Sequence, residues 1–410
     1  MACNNTTYIE LINGSISMQM KLYKYSFFVE NLNYNIPTAM MVSKCVTPAW
    51  IVIGVFGNII SAIAWASPRM RTCSTVSYYL TCLALADLTF LILHLIYELE
   101  NPWLLGTLDV QGWCQIFSMA NIAVQYFCVF LVFAFTVERF LSVCHPFKSE
   151  RFSKSRTPRT IFCLFVLSLI LSVPQGYFWV INRVGECQFR QSDGTMMSPS
   201  FFATYTWCTE LIIFLLLPVI VLLLNVTVIY KIRSVGNLKV GRSSHIARDV
   251  RAPFSVNDTS MSALVAETES LQAKKLGRNN GGYNSSSKGS TVTLLWVSFY
   301  LILTMLPNTF MYAMQYNFPY GAMPCRIEDM AFDPTWRAYF AFMAVRIVIK
   351  EISLSHHVGN VFIYLATSRR FLKLTIQSFC RRPKNYNSET RDTSLNAIRA
   401  TQTRCVGDGV

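Results

Sequence analysis

A chain of 410 residues with 52% apolar and only 14% charged side chains has too little polar surface to cover a soluble fold of its size. The composition therefore excludes an ordinary water-soluble protein and points to burial in lipid. The net charge of +14 is explained by basic loops drawn to anionic lipid, each residue contributing about 1 kcal/mol. Membrane lipids are the expected surface partner, and nothing calls for nucleic acid.

Apolar runs long enough to cross a hydrocarbon core of about 30 Å fall at residues 46–66, 77–97, 115–143, 161–181, 201–230, 291–316 and 335–366. The expected fold is an all-α membrane protein, a seven-transmembrane-helix bundle with a short amphipathic eighth helix. Residues 1–40 mix Asn, Tyr, Glu and Lys and do not resemble a cleavable signal peptide, so the first helix is expected to direct insertion, with residues 1–45 as the extracellular amino-terminal segment. Sequons at Asn4, Asn5 and Asn13 are candidate glycosylation sites, which suits an extracellular amino-terminal segment. The connection after the second span carries Glu98, Glu100 and Asp109 and no base, whereas the one after the third carries Lys148, Arg151, Lys154, Arg156 and Arg159. Basic loops stay cytoplasmic. The amino terminus is thus expected outside and the carboxyl terminus in the cytoplasm.

In residues 233–290 apolar periodicity vanishes and Gly, Ser, Asn and Lys rise, as in a disordered intracellular loop within a helical domain spanning 46–367. Residues 368–380, beginning Ser368-Arg369-Arg370-Phe371-Leu372-Lys373, read as a basic amphipathic helix on the inner leaflet. Cys380 closes that stretch as a candidate lipidation site, and residues 381–410 read as a cytoplasmic tail.

Polar groups inside apolar helices are informative because hydrocarbon offers them no partner. Arg139, in Glu138-Arg139-Phe140, holds a cation where the third span meets the cytoplasm, the placement of a signalling switch. Asn58, Asp87 and Asn360 lie at mid-bilayer depth and are expected to meet in a buried polar core. Most of the thirteen cysteines sit within spans as small packers. Cys114 and Cys187 both face the oxidising side and can tie the next outside loop over the bundle mouth, with Cys45 and Cys325 a second candidate pair. A secondary transporter would show internal repeats and Gly/Pro-broken helices in matching halves. Neither is present, nor is any hydrolase motif, so no enzyme is expected.

Together, Gly57-Asn58, Leu83-Ala84-Leu85-Ala86-Asp87-Leu88, Cys114, Glu138-Arg139-Phe140, Pro174, Cys187, Pro218, Pro307 and Asn360-Val361-Phe362-Ile363-Tyr364 resemble the rhodopsin-like (class A) G-protein-coupled receptors, over about residues 46–380. The resemblance implies a Cys114–Cys187 disulfide. It also implies coupling to a heterotrimeric G protein through Glu138, Arg139, Phe140, Asn360 and Tyr364, with receptor kinases and arrestin as further partners. It assigns Asn58, Asp87, Cys128, His356 and Asn360 to a polar core that in the family binds an allosteric sodium ion, and no other cofactor. Several residues depart from the family pattern: Cys128 where a hydroxyl is usual, His356 and His357 one turn before Asn360, Val361 for the seventh-helix proline, Met305 for the sixth-helix aromatic, Val226 for a tyrosine, and no tryptophan in the fourth helix. They put sodium binding in question, open the alternative of a proton-sensitive histidine, and leave altered or lost coupling as the alternative to a working receptor.

Asn121 and Gln125 share one face of the third helix, four residues apart. Aminergic members of the family carry an aspartate at the position of Asn121, so an amine ligand is not expected. Opsins carry a lysine at the position of Leu354, so neither is retinal. Glu98, Glu210, Asn308, Arg346, Lys350 and Glu351 in the outer half, among many aromatics, suit a peptide ligand, with a non-peptide ligand as the alternative. The overall spacing is similar to invertebrate neuropeptide receptors, including those for FMRFamide-like peptides.

Overall fold

The computed structural model describes residues 25–71, 75–100, 103, 106–144, 153–182, 185–190, 201–249, 292–293, 295–321 and 327–380. The expectations placed on Asn4, Asn5, Asn13, Cys325, residues 250–290 and the tail at 381–410 lie outside the described residues.

Helix α1 (Pro37–Ala66) starts on a proline, whose missing N–H costs nothing in a first turn. It is followed by α2 (Val76–Glu100), α3 (Trp113–Cys144) and α4 (Ser153–Phe178). Strands β1 (Trp179–Ile181) and β2 (Cys187–Phe189) pair antiparallel, Ile181 opposite Cys187. Residues 179–181, expected to close the fourth span, are therefore strand, because the following loop folds back on them. Helix α5 occupies residues 201–249 in three pieces, Phe201–Glu210, a π-helical turn Leu211–Leu216, and Leu217–Asp249. Residues 233–249, expected to open the long loop, continue this helix. Helices α6 (Leu295–Met314), α7 (Pro334–Thr367) and α8 (Arg369–Cys380) complete the order.

Helices α1 to α6 are long and apolar enough to cross a membrane. Helix α7 has the length, 34 residues, but carries Arg337, Arg346, Lys350 and Glu351 along its first half. Helix α3 sits at the centre, where Tyr126, Val129, Leu131 and Phe135 join Leu80 and Leu83 of α2, Ile213 and Val221 of α5, and Leu301 of α6 in one cluster. Large apolar residues that point away from this cluster, such as Phe56 and Ile63 of α1, Phe162 and Ile170 of α4, and Leu223 of α5, are exposed. That inversion suits lipid as solvent.

Two proline positions shape the helices. Pro218 lacks the N–H that would bond Phe214 and its ring crowds that carbonyl. The turn before it slips to the wider register, with the Leu217 N–H bonding Ile212 O, so the π turn has a local cause. Val361, where the resemblance leads one to expect proline, keeps its N–H, and α7 runs unbroken from Pro334 to Thr367. Val361 also packs on α1, since a Cβ added at Gly57 would lie 2.8 Å from Val361 Cγ1 and 3.3 Å from its Cβ. Gly57→Ala is therefore expected to destabilise the chain by about 1–3 kcal/mol through overpacking. Adding Val361→Ala should restore much of that loss in thermal unfolding of the detergent-solubilised protein, and a neutral Gly57→Ala would refute the contact.

A second cluster closes one end of the bundle. The amino-terminal helix Tyr25–Asn35 places Phe27 against Met330, Trp336 and Phe340, and Asn31 Nδ2 donates to Met330 Sδ at 2.8 Å. The Asp333 carboxylate caps α7 by accepting from the backbone N–H groups of Thr335 and Trp336.

Candidate functional site

Three polar layers lie along the bundle. The central one is built on Asp87, fully buried on α2. Asn360 of α7 donates from Nδ2 to Asp87 Oδ2 at 2.8 Å. The other carboxylate oxygen, Oδ1, faces His357 Nδ1 at 2.7 Å and accepts from Cys128 Sγ at 3.5 Å. Asn58 belongs to the same layer without touching Asp87; its Nδ2 donates to the His357 carbonyl oxygen at 2.8 Å. The His357 ring stacks on Phe90 with centroids 4.0 Å apart. His356 Nδ1 contacts the Ser353 carbonyl, while its buried Nε2 has no hydrogen-bond partner among the described residues. Asp87, Cys128, His356 and Asn360 line a common cavity with Leu83, Val132, Val297 and Leu301. The histidine that meets the carboxylate is thus His357, although His356 is the one the sequence reading placed in this core.

At the end of the bundle that carries the Cys114–Cys187 disulfide (Cα–Cα 5.7 Å), that bond joins the first turn of α3 to β2. Asp109 braces it by accepting from the Cys187 N–H at 2.7 Å. Cys45 is a free, exposed thiol. Below the bridge, Glu98 of α2 is buried and ion-paired to Lys350 of α7 at 2.5 Å, with His94 Nε2 3.4 Å from the same oxygen. Glu351 lies 3.9 Å from Lys350 and accepts from Thr47 Oγ1 at 2.8 Å and Ser43 Oγ at 3.1 Å on α1. Two carboxylates and one ammonium therefore tie α1, α2 and α7 together. Arg346, one turn before Lys350, donates to Gln315 at 3.3 Å and stands within electrostatic reach of Glu210. Glu210, half-buried where α5 enters its π turn, has no ion pair among the described residues. On α3, Asn121 keeps a buried Oδ1 without a partner among the described residues, and Gln125 turns its amide back to the Asn121 carbonyl at 3.3 Å. Asn308 is half-buried on α6.

At the opposite end, Glu138 accepts from Thr75, just before α2, and from Thr157 of α4 at 3.2 Å. The Arg139 guanidinium lies 6.0 Å from the centroid of the Phe135 ring, and Phe140 follows it, half-buried. Tyr364 is fully buried between Trp65 of α1 and Phe371 of α8, each in edge-to-face contact with centroids 5.5 Å apart, and its hydroxyl has no partner among the described residues. Thr367 donates to Thr293 at 2.8 Å, fastening the ends of α6 and α7.

This architecture, with a disulfide at one end of the bundle and Glu138-Arg139-Phe140 at the other, matches the family model for the seven-transmembrane receptors of the rhodopsin family over residues 57–345. The chain belongs to that family. It is a multi-pass membrane protein of a receptor family, not of an enzyme family. Among its relatives, the human neurotensin receptor type 1 is 34% identical over 155 residues, 36% of this chain and 35% of that receptor. The substance-P receptor of Meriones unguiculatus is 28% identical over 155 residues, 33% of this chain and 36% of that receptor. The aligned stretch spans about a third of the length of these curated relatives.

Within the rhodopsin-family frame, the sequence reading gathers Asn58, Asp87, Cys128 and Asn360 in one layer, and the structure supplies the contacts that hold them. It missed His94, Phe90 and the Trp65–Phe371 pair around Tyr364. His94 was detectable, because it stands four residues before Glu98 on one helical face. The aromatic contacts of Tyr364 join three different helices and have no local signal.

Proposed function

We propose that this chain is a plasma-membrane receptor that binds an extracellular peptide at the disulfide end of its bundle and activates a heterotrimeric G protein at the Arg139 end. The carrying observation is the set of charges between helices at the disulfide end: Glu98 with Lys350, Glu351, Arg346 and Glu210. Mixed charge at that depth suits a peptide better than a small apolar ligand, and the relatives named for neurotensin and substance P support the same class. The basic residues Arg156 and Arg159 on α4, at the Arg139 end, favour a cytoplasmic position for it. There the basic helix α8 is suited to the inner leaflet, with Phe371 buried against the bundle.

Glu98 already has its cation. Glu210, with no ion pair among the described residues, is therefore the better acceptor for a ligand guanidinium, such as the arginine that precedes the amidated aromatic in FMRFamide-like peptides. The test is a second-messenger screen reading calcium and cyclic AMP in cells expressing the chain, against amidated neuropeptides together with neurotensin and substance P. A peptide is expected to give a saturable response. If it carries arginine, Glu210→Gln should raise its half-maximal concentration roughly ten- to a hundredfold, the equivalent of a charged hydrogen bond of about 1.5–3 kcal/mol. Silence to every peptide despite surface expression would overturn the peptide reading.

A further inference from the structure

The central polar layer carries more ligating chemistry than a helix-tethering network needs. We propose that Asp87, Cys128 and His357 form a three-donor binding site for a transition-metal ion of the zinc class, its fourth position open to water. One carboxylate oxygen, Asp87 Oδ1, faces both His357 Nδ1 at 2.7 Å and Cys128 Sγ at 3.5 Å, and the three donor atoms lie within 4.8 Å of one another, all buried. A tetrahedral zinc ion with its usual bonds to oxygen, nitrogen and sulfur spaces those donors about 3.4–3.6 Å apart. The sulfur–oxygen distance already fits, the His357–Asp87 contact has to open by about 0.7 Å, and the sulfur and the His357 nitrogen, within 4.8 Å of each other, have to settle into the same range to admit the ion.

The surroundings are those of a ligand shell. Asn360 Nδ2 holds the other carboxylate oxygen at 2.8 Å and leaves Oδ1 to the cluster, while Asn58 fixes the backbone of His357 at 2.8 Å and Phe90 stacks on its ring. His356 independently points to a ligand: it is 4% exposed, it lines the cavity that Asp87, Cys128 and Asn360 also line, and its Nε2 has no hydrogen-bond partner among the described residues. A hard monovalent or alkaline-earth ion is served by several oxygens, and here the donors are a thiol, an imidazole and one carboxylate, a set that favours zinc or a neighbouring transition metal. On binding, the Cys128 proton passes to solvent; a proton on His357 Nδ1 moves to Nε2, and one on Asp87 passes to solvent, so that His357 binds as neutral imidazole and Asp87 as carboxylate. The ion would join α2, α3 and α7 and stabilise the arrangement that holds them together.

The test uses the full chain purified in detergent, its accessible thiols alkylated beforehand so that Cys45, Cys163 and Cys208 are silent while buried Cys128 is spared. Cobalt(II) is the spectroscopic probe and zinc the stabilising one. Cobalt is expected to give tetrahedral visible bands and a thiolate charge-transfer band that Cys128→Ser abolishes and His357→Asn weakens, with Cys82→Ser unchanged. Zinc should raise the melting temperature of the parent and of Cys82→Ser, and not of Cys128→Ser. An absence of thiolate bands in the parent, the same bands in Cys128→Ser, or stabilisation by sodium and none by zinc would each overturn the assignment. None of these readouts depends on the signalling ligand.

Discussion

Replacing Lys350 with Met is expected to destabilise the protein by about 3–5 kcal/mol, and replacing Glu98 with Gln in the same chain to recover most of that loss. The reason is where the charges lie. The Glu98 side chain is 6% exposed, and its carboxylate is met by the Lys350 ammonium at 2.5 Å, with His94 Nε2 at 3.4 Å. With the ammonium removed, Glu98 is a buried carboxylate without its cation, and Glu351, 3.9 Å from the same ammonium, keeps only the hydroxyls of Thr47 and Ser43. Two anions then share one apolar layer among α1, α2 and α7. The double variant removes a charge of each sign and leaves one carboxylate where Thr47 and Ser43 can satisfy it. Thermal unfolding of the parent, the two single variants and the double variant gives the coupling directly. Equal stability of Lys350→Met and the parent, or a double variant no better than Lys350→Met, would show that the pair does not hold these helices.

How far this layer was legible in the sequence depends on distance along the chain. Seven spans could be read because each is a local run of apolar residues, although several helices outrun those runs: α1 begins at Pro37 and not at 46, and α4 at Ser153 and not at 161. Residues 179–181 became a strand because Cys187–Phe189 lies alongside them. Helix α5 runs on past residue 233, where apolar periodicity had already ended and gave no sign of helix. The central layer was legible because Asn58, Asp87 and Asn360 can find partners only in one another's neighbourhood. Which histidine joins them was not, since His356 and His357 are adjacent in sequence and face different directions on one helix, a choice set by the rotation of α7 against α2. The Glu98–Lys350 pair spans 252 residues, and no pattern in either helix announces it.

The largest functional effects are expected at Glu138 and Arg139, and they bear on the proposed coupling directly. Glu138 accepts from Thr75 and from Thr157, so the acid is anchored to the start of α2 and to α4 while sitting next to Arg139 on α3. Glu138→Gln keeps an oxygen for one threonine hydroxyl, sets an amide N–H donor opposite the oxygen of the other, and removes the negative charge. It keeps the size and shape of the side chain, and under the proposed coupling it would end a charge restraint on its neighbour. A restraint worth one charge-assisted hydrogen bond, about 1.5–3 kcal/mol, would on removal shift a two-state equilibrium roughly ten- to a hundredfold toward the released state. Basal second-messenger output is expected to rise accordingly at unchanged surface expression. Arg139→Ala removes the cation itself, and coupling is expected to be lost whether or not ligand is bound. The pair of results separates a switch from a structural anchor. An anchor would lower surface expression in both variants and raise signalling in neither, whereas a switch moves the two variants in opposite directions.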